Sequence, residues 1–382
     1  MKILMVTTIS STLDFLVEHM RFLLETGHRV DVACNVEDIT QIKLQGLGLR
    51  VYDIPFQRSP LRKENLAAYR KIKQLVLEEQ YDIMHVHTPV AAFVARLACR
   101  DIPGLKVYYT AHGFHFYRGA PFLNWAVYYP MERLASRWTD KLVTMNGEDY
   151  DRARKMKLRN NGETFLVHGV GLDIRSVWNV KNDSAAKRKE LGIEHGAYVL
   201  LSVGELIRRK NFKTGIRSFA RMDIPGSVYL ICGRGPLEGR LKRVAEKMKV
   251  ADRVKFLGFR KDIFEILKAS DVFLFPSCQE GLSVAVMEAM AAGIPVVCSG
   301  IRGNIDLIQH KINGLVVGKR DLDGFVRAVK RVHRMPEYAE KFAKKNREII
   351  GAYSVQNVLK EMESVYAAAS YSPADPSLQQ DF

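Results

Sequence analysis

The sequence predicts an α/β fold in which two doubly wound domains face each other across a cleft. Three observations support this prediction. The chain has 382 residues, which is enough for two domains of ordinary size. Short apolar runs alternate with longer amphipathic segments, a pattern typical of parallel strands joined by helices. The alternation stops at a polar segment after Asp173 and then begins again.

This pattern predicts where the domains begin and end. The N-terminal domain is expected over 1–175, with strands at 3–6, 30–33, 83–86, 107–110 and 142–144. The C-terminal domain is expected over 190–353, with strands at 198–203, 228–232, 254–257, 272–275 and 296–298. The polar stretch 175–184 is interpreted as a linker. A final helix at about 354–370 is expected to pack back on the first domain, and the tail 372–382 is expected to be disordered.

Composition and charge narrow the classes of function. Hydrophobic residues make up 47% of the chain and charged residues 26%, which excludes disorder over most of its length. The net charge of +16 favours anionic partners such as nucleotides, phosphorylated substrates, nucleic acid or acidic lipid headgroups. No apolar stretch approaches the ~18 residues of a membrane-spanning helix, so any membrane contact is expected to be peripheral. Five cysteines without CxxC spacing indicate reduced thiols and a cytoplasmic protein.

The segment 275–297 is the most informative about chemistry, because a strand ends there, a glycine turn follows and a helix begins. A helix start near Leu282 would direct free backbone N–H groups into the cleft, where they favour phosphate. Glu280 lies in the turn, within reach of sugar hydroxyls, and Glu288 lies about two helical turns further on. Two carboxylates beside a phosphate-binding turn fit a nucleotide sugar. The alternative, that Glu288 pairs at the surface and Glu280 only decorates a loop, stays open.

Other charged features bear on the choice of ligand. Two D-x-D triplets, 149–151 and 321–323, lie at predicted helix starts, so they are interpreted as caps and no metal site is expected. Segment 58–73 carries six positive charges and one negative charge, which fits either an anionic membrane surface or a solvated helix face. No nucleic-acid-binding motif accompanies the positive charge, so nucleic acid is not an expected partner.

Several of these segments resemble one known family in order and position. Segment 275–297 resembles the E-x7-E signature of the family 4 retaining glycosyltransferases, which have the GT-B fold. Segment 82–87 resembles the D-I-V-H-x-H strand end of the family, 293–297 its G-x-P-V-V run, and 313–316 its late N-G-x-L-V turn. Segment 111–130 resembles the subgroup that builds capsule and exopolysaccharide repeat units. The resemblance covers nearly the whole chain.

The resemblance implies two Rossmann-like domains and assigns roles to individual residues. The implied catalytic residues are His112, Lys210 and Glu280. The implied donor-binding residues are Glu205, Arg209, Gly235, Phe259, Gly281, Leu282, Ser283, Val284 and Glu288. The implied acceptor-side residues, for which a scaffold role is the alternative, are Ser10, His85, His87 and His115.

One position departs from the family pattern. Glu205 stands where the family has a phosphate-binding Arg, and a carboxylate facing a diphosphate would repel it. Either Arg208 or Arg209 then supplies the second positive charge, or Glu205 faces the sugar or an acceptor amine.

The resemblance also implies an activity. A hexosyltransferase of this subgroup would move a hexose or N-acetylhexosamine from a nucleoside-diphosphate sugar, expected to be a UDP-sugar, to a polyprenyl-diphosphate-linked saccharide. The implied reaction retains the anomeric configuration and needs no metal or other cofactor. The enzyme would be cytoplasmic, with peripheral contact at the inner face of the cell membrane. A GT-B nucleotide-sugar epimerase without a lipid acceptor and a noncatalytic partner subunit stay open as alternatives.

Overall fold

The computed structural model describes residues 1–36, 46–181 and 183–367. Within these residues the chain folds into two α/β domains, each built on one parallel sheet. Apolar clusters lie on both faces of each sheet, which explains why strand residues such as Leu4 and Met5 are both completely buried. The predicted fold class is confirmed.

In the described part of the chain, the N-terminal sheet has seven strands in the order β3-β2-β1-β4-β5-β6-β7. They are β1 (Lys2–Ile9), β2 (Arg29–Asn35), β3 (Arg50–Asp53), β4 (Ile83–His87), β5 (Lys106–Ala111), β6 (Lys141–Thr144) and β7 (Glu163–Leu166). The helices are α1 (Val17–Glu25), α2 (Glu64–Glu79), α3 (Pro89–Cys99), α4 (Phe122–Ala135) and α5 (Gly147–Ala153). The strand order reverses between β1 and β4, which places a ligand crevice at the carboxyl ends of these strands.

The C-terminal sheet, as far as the chain is described, has six strands in the order β10-β9-β8-β11-β12-β13. They are β8 (Val199–Val203), β9 (Val228–Cys232), β10 (Val254–Gly258), β11 (Val272–Phe275), β12 (Val296–Ser299) and β13 (Leu315–Val317). The helices that precede, join and follow them are α6 (Ile174–Asn179), α7 (Ser184–Glu190), α8 (Phe212–Met222), α9 (Glu238–Lys247), α10 (Ile263–Lys268), α11 (Val284–Ala292), α12 (Asn304–Leu307), α13 (Leu322–Arg334) and α14 (Pro336–Ile350). The order reverses between β8 and β11.

The polar segment 175–184 differs from its interpretation as a linker, because it contains most of α6 and the start of α7. Asp173 begins α6 by accepting a hydrogen bond from the backbone N–H of Ser176 at 3.1 Å, and Asp183 begins α7 in the same way. Val177 anchors α6 because its side chain is fully buried. Caps and one buried anchor are therefore enough to form short helices in a sequence with weak periodicity.

The last described helix, α15 (Val355–Ala367), packs on the N-terminal domain. Met362 and Val365 are buried in the same cluster as Met5 of β1. The hydroxyl of Tyr366 shares a hydrogen bond of 2.5 Å with Nδ1 of His85. The predicted disordered tail, 372–382, lies outside the described residues.

The chain passes between the domains at two adjacent places. The backbone N–H of Leu172 donates to the carbonyl of Tyr353 at 2.8 Å, and the N–H of Val355 donates to the carbonyl of Leu172 at 3.1 Å. The first connection, before α6, and the second, before α15, are thus hydrogen-bonded to each other.

Candidate active site

The turn between β11 and α11 holds a buried carboxylate. Glu280 is only 7% exposed, and its Oε1 accepts a hydrogen bond from Oγ of buried Ser277 at 2.6 Å. A buried charge without partners is costly, so the carboxylate needs cations or further donors nearby.

Two cations from a neighbouring strand meet this need. Nζ of Lys210 lies 2.8 Å from Oε1 of Glu280, and Nη1 of Arg209 lies 3.2 Å from Oε2. Both residues belong to the short 3-10 turn Arg208–Lys210, which follows β8. Because β8 and β11 are adjacent parallel strands, their carboxyl ends bring the three charges together. Two cations around one carboxylate leave the cluster with a net positive charge, which suits an anionic ligand.

Glu205 stands where the family pattern has a phosphate-binding arginine, and the structure shows which nearby residue could supply that positive charge. Arg208, Arg209 and Glu205 are all exposed, and of the three Arg209 is the one whose side chain contacts Glu280, beside Lys210. Over residues 1–36, 46–181 and 183–367, the Glu205 side chain makes no hydrogen bond or ion pair. Of the alternatives left open by the sequence, the position of Arg209 favours it as the second positive charge.

Helix α11 begins at Val284, two residues later than the predicted start near Leu282. Ser283 is its N-cap and accepts a bond from the N–H of Val286. The free N–H groups and the positive end of the helix dipole therefore lie just after the Glu280 turn. The side chain of Leu282 packs toward Gly169 of the N-terminal domain, so this turn lies where the domains meet.

Glu288 lies on the second turn of α11 and is partly buried. Burial raises the pKa of its carboxyl to about 7. Its carboxylate has no hydrogen-bond or ion-pair partner in the part of the chain that the structure describes. A desolvated carboxylate without an internal partner is available to accept hydrogen bonds from a ligand.

Three other predicted donor-side loops meet at the ends of β8, β9 and β10. A side chain at Gly235 would place its Cβ 2.7 Å from the backbone nitrogen of Leu206, so this turn packs tightly on the loop after β8. The N–H of Gly233 donates to the carbonyl of Gly258 at 2.7 Å. Phe259 follows directly and is largely exposed, which leaves its ring free to contact a ligand.

On the opposite side, His112 follows β5 and contacts His87, which ends β4. Nε2 of His112 lies 3.1 Å from Nδ1 of His87. Burial lowers the pKa of His112 to about 4, and the pKa of His87 lies well below its ordinary value for the same reason. Both imidazoles are therefore neutral near pH 7, and the hydrogen bond between them couples their tautomers.

The remaining acceptor-side residues are placed differently from one another. His85 is completely buried, and Tyr366 and Thr110 bind its two ring nitrogens, so it belongs to the scaffold. Ser10 is also buried, at the end of β1. His115 is partly buried, and its ring stacks on Tyr128 with centroids 4.5 Å apart.

Gly281 brings the backbones of the two domains close together. A Cβ added there would lie 1.7 Å from the carbonyl oxygen of His112, and one added at Gly113 would lie 2.9 Å from the Cα of Gly281. Gly303 packs against the same turn, since a Cβ added at this residue would lie 2.3 Å from the carbonyl oxygen of Gly281. In addition, Nδ2 of Asn146 donates to that oxygen at 3.1 Å. The glycine turn therefore joins His112 to the Glu280 cluster.

Arg302 stabilises this junction, although no motif in the sequence marks it as a site residue. Its guanidinium is buried, lies 2.5 Å from Oδ1 of Asp149 and donates to the carbonyl of Glu280 at 3.1 Å. The interpretation of Asp149 as a helix cap is wrong, because Asn146 caps α5 and Asp149 pairs across the domains instead. The second triplet agrees with its interpretation, since Asp321 caps α13.

A cavity of about 320 Å³ lies beside these residues. Tyr117 and Arg118 line it from the N-terminal domain, and Glu280, Arg302 and Lys319 line it from the C-terminal domain. The cavity thus places ligand-sized space next to the charged turn.

Residues 1–36, 46–181 and 183–367 contain no group of three or more His, Cys, Asp or Glu side chains that could hold a metal ion. The same residues form no helix long and apolar enough to cross a membrane.

The sequence matches two family profiles that together cover most of the chain. Residues 2–146 match the family described as Glycosyl transferase 4-like, and residues 183–349 match Glycosyl transferases group 1. The chain belongs to the family 4 glycosyltransferases of the GT-B fold.

Individual relatives agree with this assignment. EpsD of Bacillus subtilis, which is described by name as a glycosyltransferase, is 35% identical over 359 residues, with 93% of each chain covered. The UDP-Gal:alpha-D-GlcNAc-diphosphoundecaprenol alpha-1,3-galactosyltransferase of Escherichia coli is 33% identical over 68% of each chain. The solved structure of Anabaena Alr3699/HepE in complex with UDP and glucose has a TM-score of 0.80 at 19% identity, covering 96% of this chain and 100% of that chain. This last similarity concerns the fold alone.

The buried histidines predict a loss of stability in acid. Burial lowers the pKa values of His19 and His112 to about 4, and those of His85 and His87 well below the ordinary value. Between pH 6.5 and pH 4 the unfolded chain therefore binds more protons than the folded chain, so the free energy of unfolding falls as pH falls. From pH 7 to pH 5 we expect denaturant titrations to give a decrease of at least about 2 kcal/mol.

A pair of variants isolates the contribution of one histidine. His19→Asn removes a buried group that stays neutral in the folded protein from pH 7 to pH 5, so the decrease should be smaller by about 1 kcal/mol or more. His195→Asn changes an exposed histidine and should leave the decrease as it is. If both variants lost the same free energy of unfolding between pH 7 and pH 5, the proposed contribution of His19 would be wrong.

The glycine junction predicts a specific loss of activity. Gly281→Ala would force its methyl group into the carbonyl of His112, so the domains must separate at this point. Because misplacement of about 1 Å can reduce rates about 100-fold, we expect a transfer rate at least about 100-fold lower with an unchanged circular dichroism spectrum. The control Gly239→Ala, in α9, has open space around the added methyl group. A rate within threefold of wild type for Gly281→Ala would refute the role of the contact.

Proposed function

We propose that this glycosyltransferase moves a hexose or N-acetylhexosamine from a UDP-sugar to a saccharide linked to polyprenyl diphosphate. The observation that carries the proposal is the charge cluster of Lys210, Arg209 and Glu280 beside the start of α11. Positive side chains and a helix N-terminus at one point are what a diphosphate leaving group requires.

The charges suggest how the donor is held and cleaved. Lys210 and Arg209 would share their charge with the diphosphate, and the first N–H groups of α11 would stabilise it further as the glycosidic bond lengthens. Glu280, released in part from its cations, would accept hydrogen bonds from hydroxyls of the donor sugar. His112 is neutral at pH 7 and so would act on the sugar as a hydrogen-bonding group and not as a cation.

The nucleoside would lie further along α11. Glu288 supports this placement because its carboxylate lacks an internal partner and could accept both ribose hydroxyls. Phe259, which is exposed at the end of β10, would offer a ring for the base. The proposed reaction retains the configuration of the sugar, as the family does. It would need no metal or other cofactor, since the cluster itself supplies positive charge.

The proposed acceptor is based on the acceptors of two related enzymes. The Escherichia coli relative acts on GlcNAc linked to diphosphoundecaprenol, and a Campylobacter jejuni relative, 24% identical over 321 residues, acts on N,N'-diacetylbacillosaminyl-diphospho-undecaprenol. We therefore place the reaction in exopolysaccharide or capsule synthesis. A cytoplasmic enzyme bound peripherally to the inner face of the membrane would reach such an acceptor, and the basic segment 58–73 is the surface we propose for that contact.

The direct test combines donor screening with one pair of variants. Each nucleotide sugar is assayed for an increase in melting temperature, and the donors that bind are then incubated with and without lipid-linked saccharides. We expect a UDP-sugar to bind and to be consumed only with acceptor present. An isomerised donor in the absence of acceptor would indicate an epimerase instead.

The variant Glu280→Ala tests the charge cluster. It removes the carboxylate between Lys210 and Arg209, and we expect turnover to fall at least about 100-fold without loss of folding. Glu246→Ala, which changes an exposed carboxylate on α9 of the same domain, serves as the matched control. Normal turnover by folded Glu280→Ala protein would remove the basis for the assignment.

A further inference from the structure

The N-terminal domain carries an apolar groove of about 340 Å³ between α2, α3 and α4. We call it the helix groove, and its walls include Leu66, Tyr69, Val90, Phe93, Tyr128 and Met131. Leu66 remains 60% exposed, so this apolar surface is open to solvent. The groove is distinct from the charged cavity between the domains.

The helix groove opens beside the acceptor-side residues. Pro89 and Val90, which begin α3 and line the groove, come directly after His87 and Thr88 at the end of β4. On the facing wall, the Tyr128 ring lines the groove and stacks on His115. A ligand with its head near His115 could therefore continue into the groove.

The edge of the groove is cationic. Arg62 lines the groove itself and belongs to the basic segment 58–73. None of the six basic side chains of this segment forms an ion pair with a carboxylate in the described residues; they are Arg58, Arg62, Lys63, Arg70, Lys71 and Lys73. Of these side chains, Arg62 is the one that lines the groove, and Glu132, which lines it too, is paired with buried Arg96. An unpaired cation at the edge of an apolar channel is complementary to an anionic group attached to an apolar chain.

Exposed apolar side chains continue the surface beyond the groove. Phe122 is 85% exposed at the start of α4, and Leu61 is 92% exposed before α2. Leu123 and Val127 precede Met131 at intervals of four residues, so they form one stripe along α4 that leads to the groove. Such a surface suits the headgroup region of a bilayer, from which a lipid substrate would enter.

We propose that the helix groove holds the first isoprene units of the polyprenyl chain of a lipid-linked acceptor, with the acceptor diphosphate at the cationic edge. The proposal rests on the proposed function, because it concerns the acceptor of that reaction. The groove is chosen for this lipid and not for bulk acyl chains because its Tyr128 wall reaches His115, one of the predicted acceptor-side residues.

Binding of farnesyl diphosphate tests the proposal without knowledge of the acceptor sugar. Calorimetry is performed on the full chain with saturating UDP, with inorganic pyrophosphate as the probe that lacks a chain. We expect farnesyl diphosphate to bind at least tenfold more tightly than pyrophosphate, since only the former buries apolar surface. Equal affinities would overturn the proposal.

Two leucine variants on α2 test whether the prenyl chain of farnesyl diphosphate binds in the helix groove. Leu66→Gln should weaken farnesyl diphosphate binding about fivefold and leave pyrophosphate binding unchanged. Leu77→Gln makes the same change on α2 at a residue that is 52% exposed and outside the groove, and should have no effect. Both leucines are exposed, so both variants should fold, which melting temperatures would verify. Equal effects of the two variants would refute the location.

Vesicles of phosphatidylglycerol separate this lipid from the bulk membrane. If Leu66→Gln weakens vesicle binding but not farnesyl diphosphate binding, the groove takes ordinary acyl chains and the proposal is wrong. The donor assays report independently on the proposed function. A protein that consumes no nucleotide sugar but binds farnesyl diphosphate through Leu66 would contradict the transferase reaction and retain the groove as a prenyl diphosphate site.

Discussion

The site depends on one steric constraint, the contact between the backbones of Gly281 and His112. No side chain fits between the two domains at this point, so the carboxyl ends of the two sheets come close enough to share a ligand. The buried ion pair of Arg302 and Asp149 holds the contact from behind, in surroundings where an unpaired partner would be costly. The absence of a side chain at position 281 therefore keeps the ends of the two sheets in contact.

Within this frame, Glu280 balances charge in the unliganded protein. Lys210 and Arg209 would repel each other if they lay alone at the start of α11, and the carboxylate allows them to remain together. An incoming diphosphate would then exchange one anionic partner for another, without a large rearrangement of the cations. The exposed Glu205 takes no part in this charge cluster. This is consistent with Arg209 supplying the positive charge that the family pattern places at position 205.

Much of the fold could be predicted from local pattern, and the exceptions have physical reasons. Strands β3, β7 and β13 were missed because they are only three or four residues long, so their apolar runs are weak, and β3 and β7 also have exposed ends. Asp149 and Arg302 were missed as a pair because their contact joins distant parts of the chain, which no local spacing reveals. His85 shows the converse case. It shares a strand face with His87, but Tyr366, from the far end of the chain, binds its ring and makes it part of the scaffold.

The paired connections near Leu172 and Tyr353 also constrain how the molecule can open. Two adjacent peptide segments that are hydrogen-bonded to each other permit rotation about the line joining them, but they resist sliding and twisting. Each swing of one lobe would therefore return Gly281 to the same place on the other. After each opening the two halves of the site would then return to the same alignment, because the two hydrogen-bonded connections allow one direction of rotation.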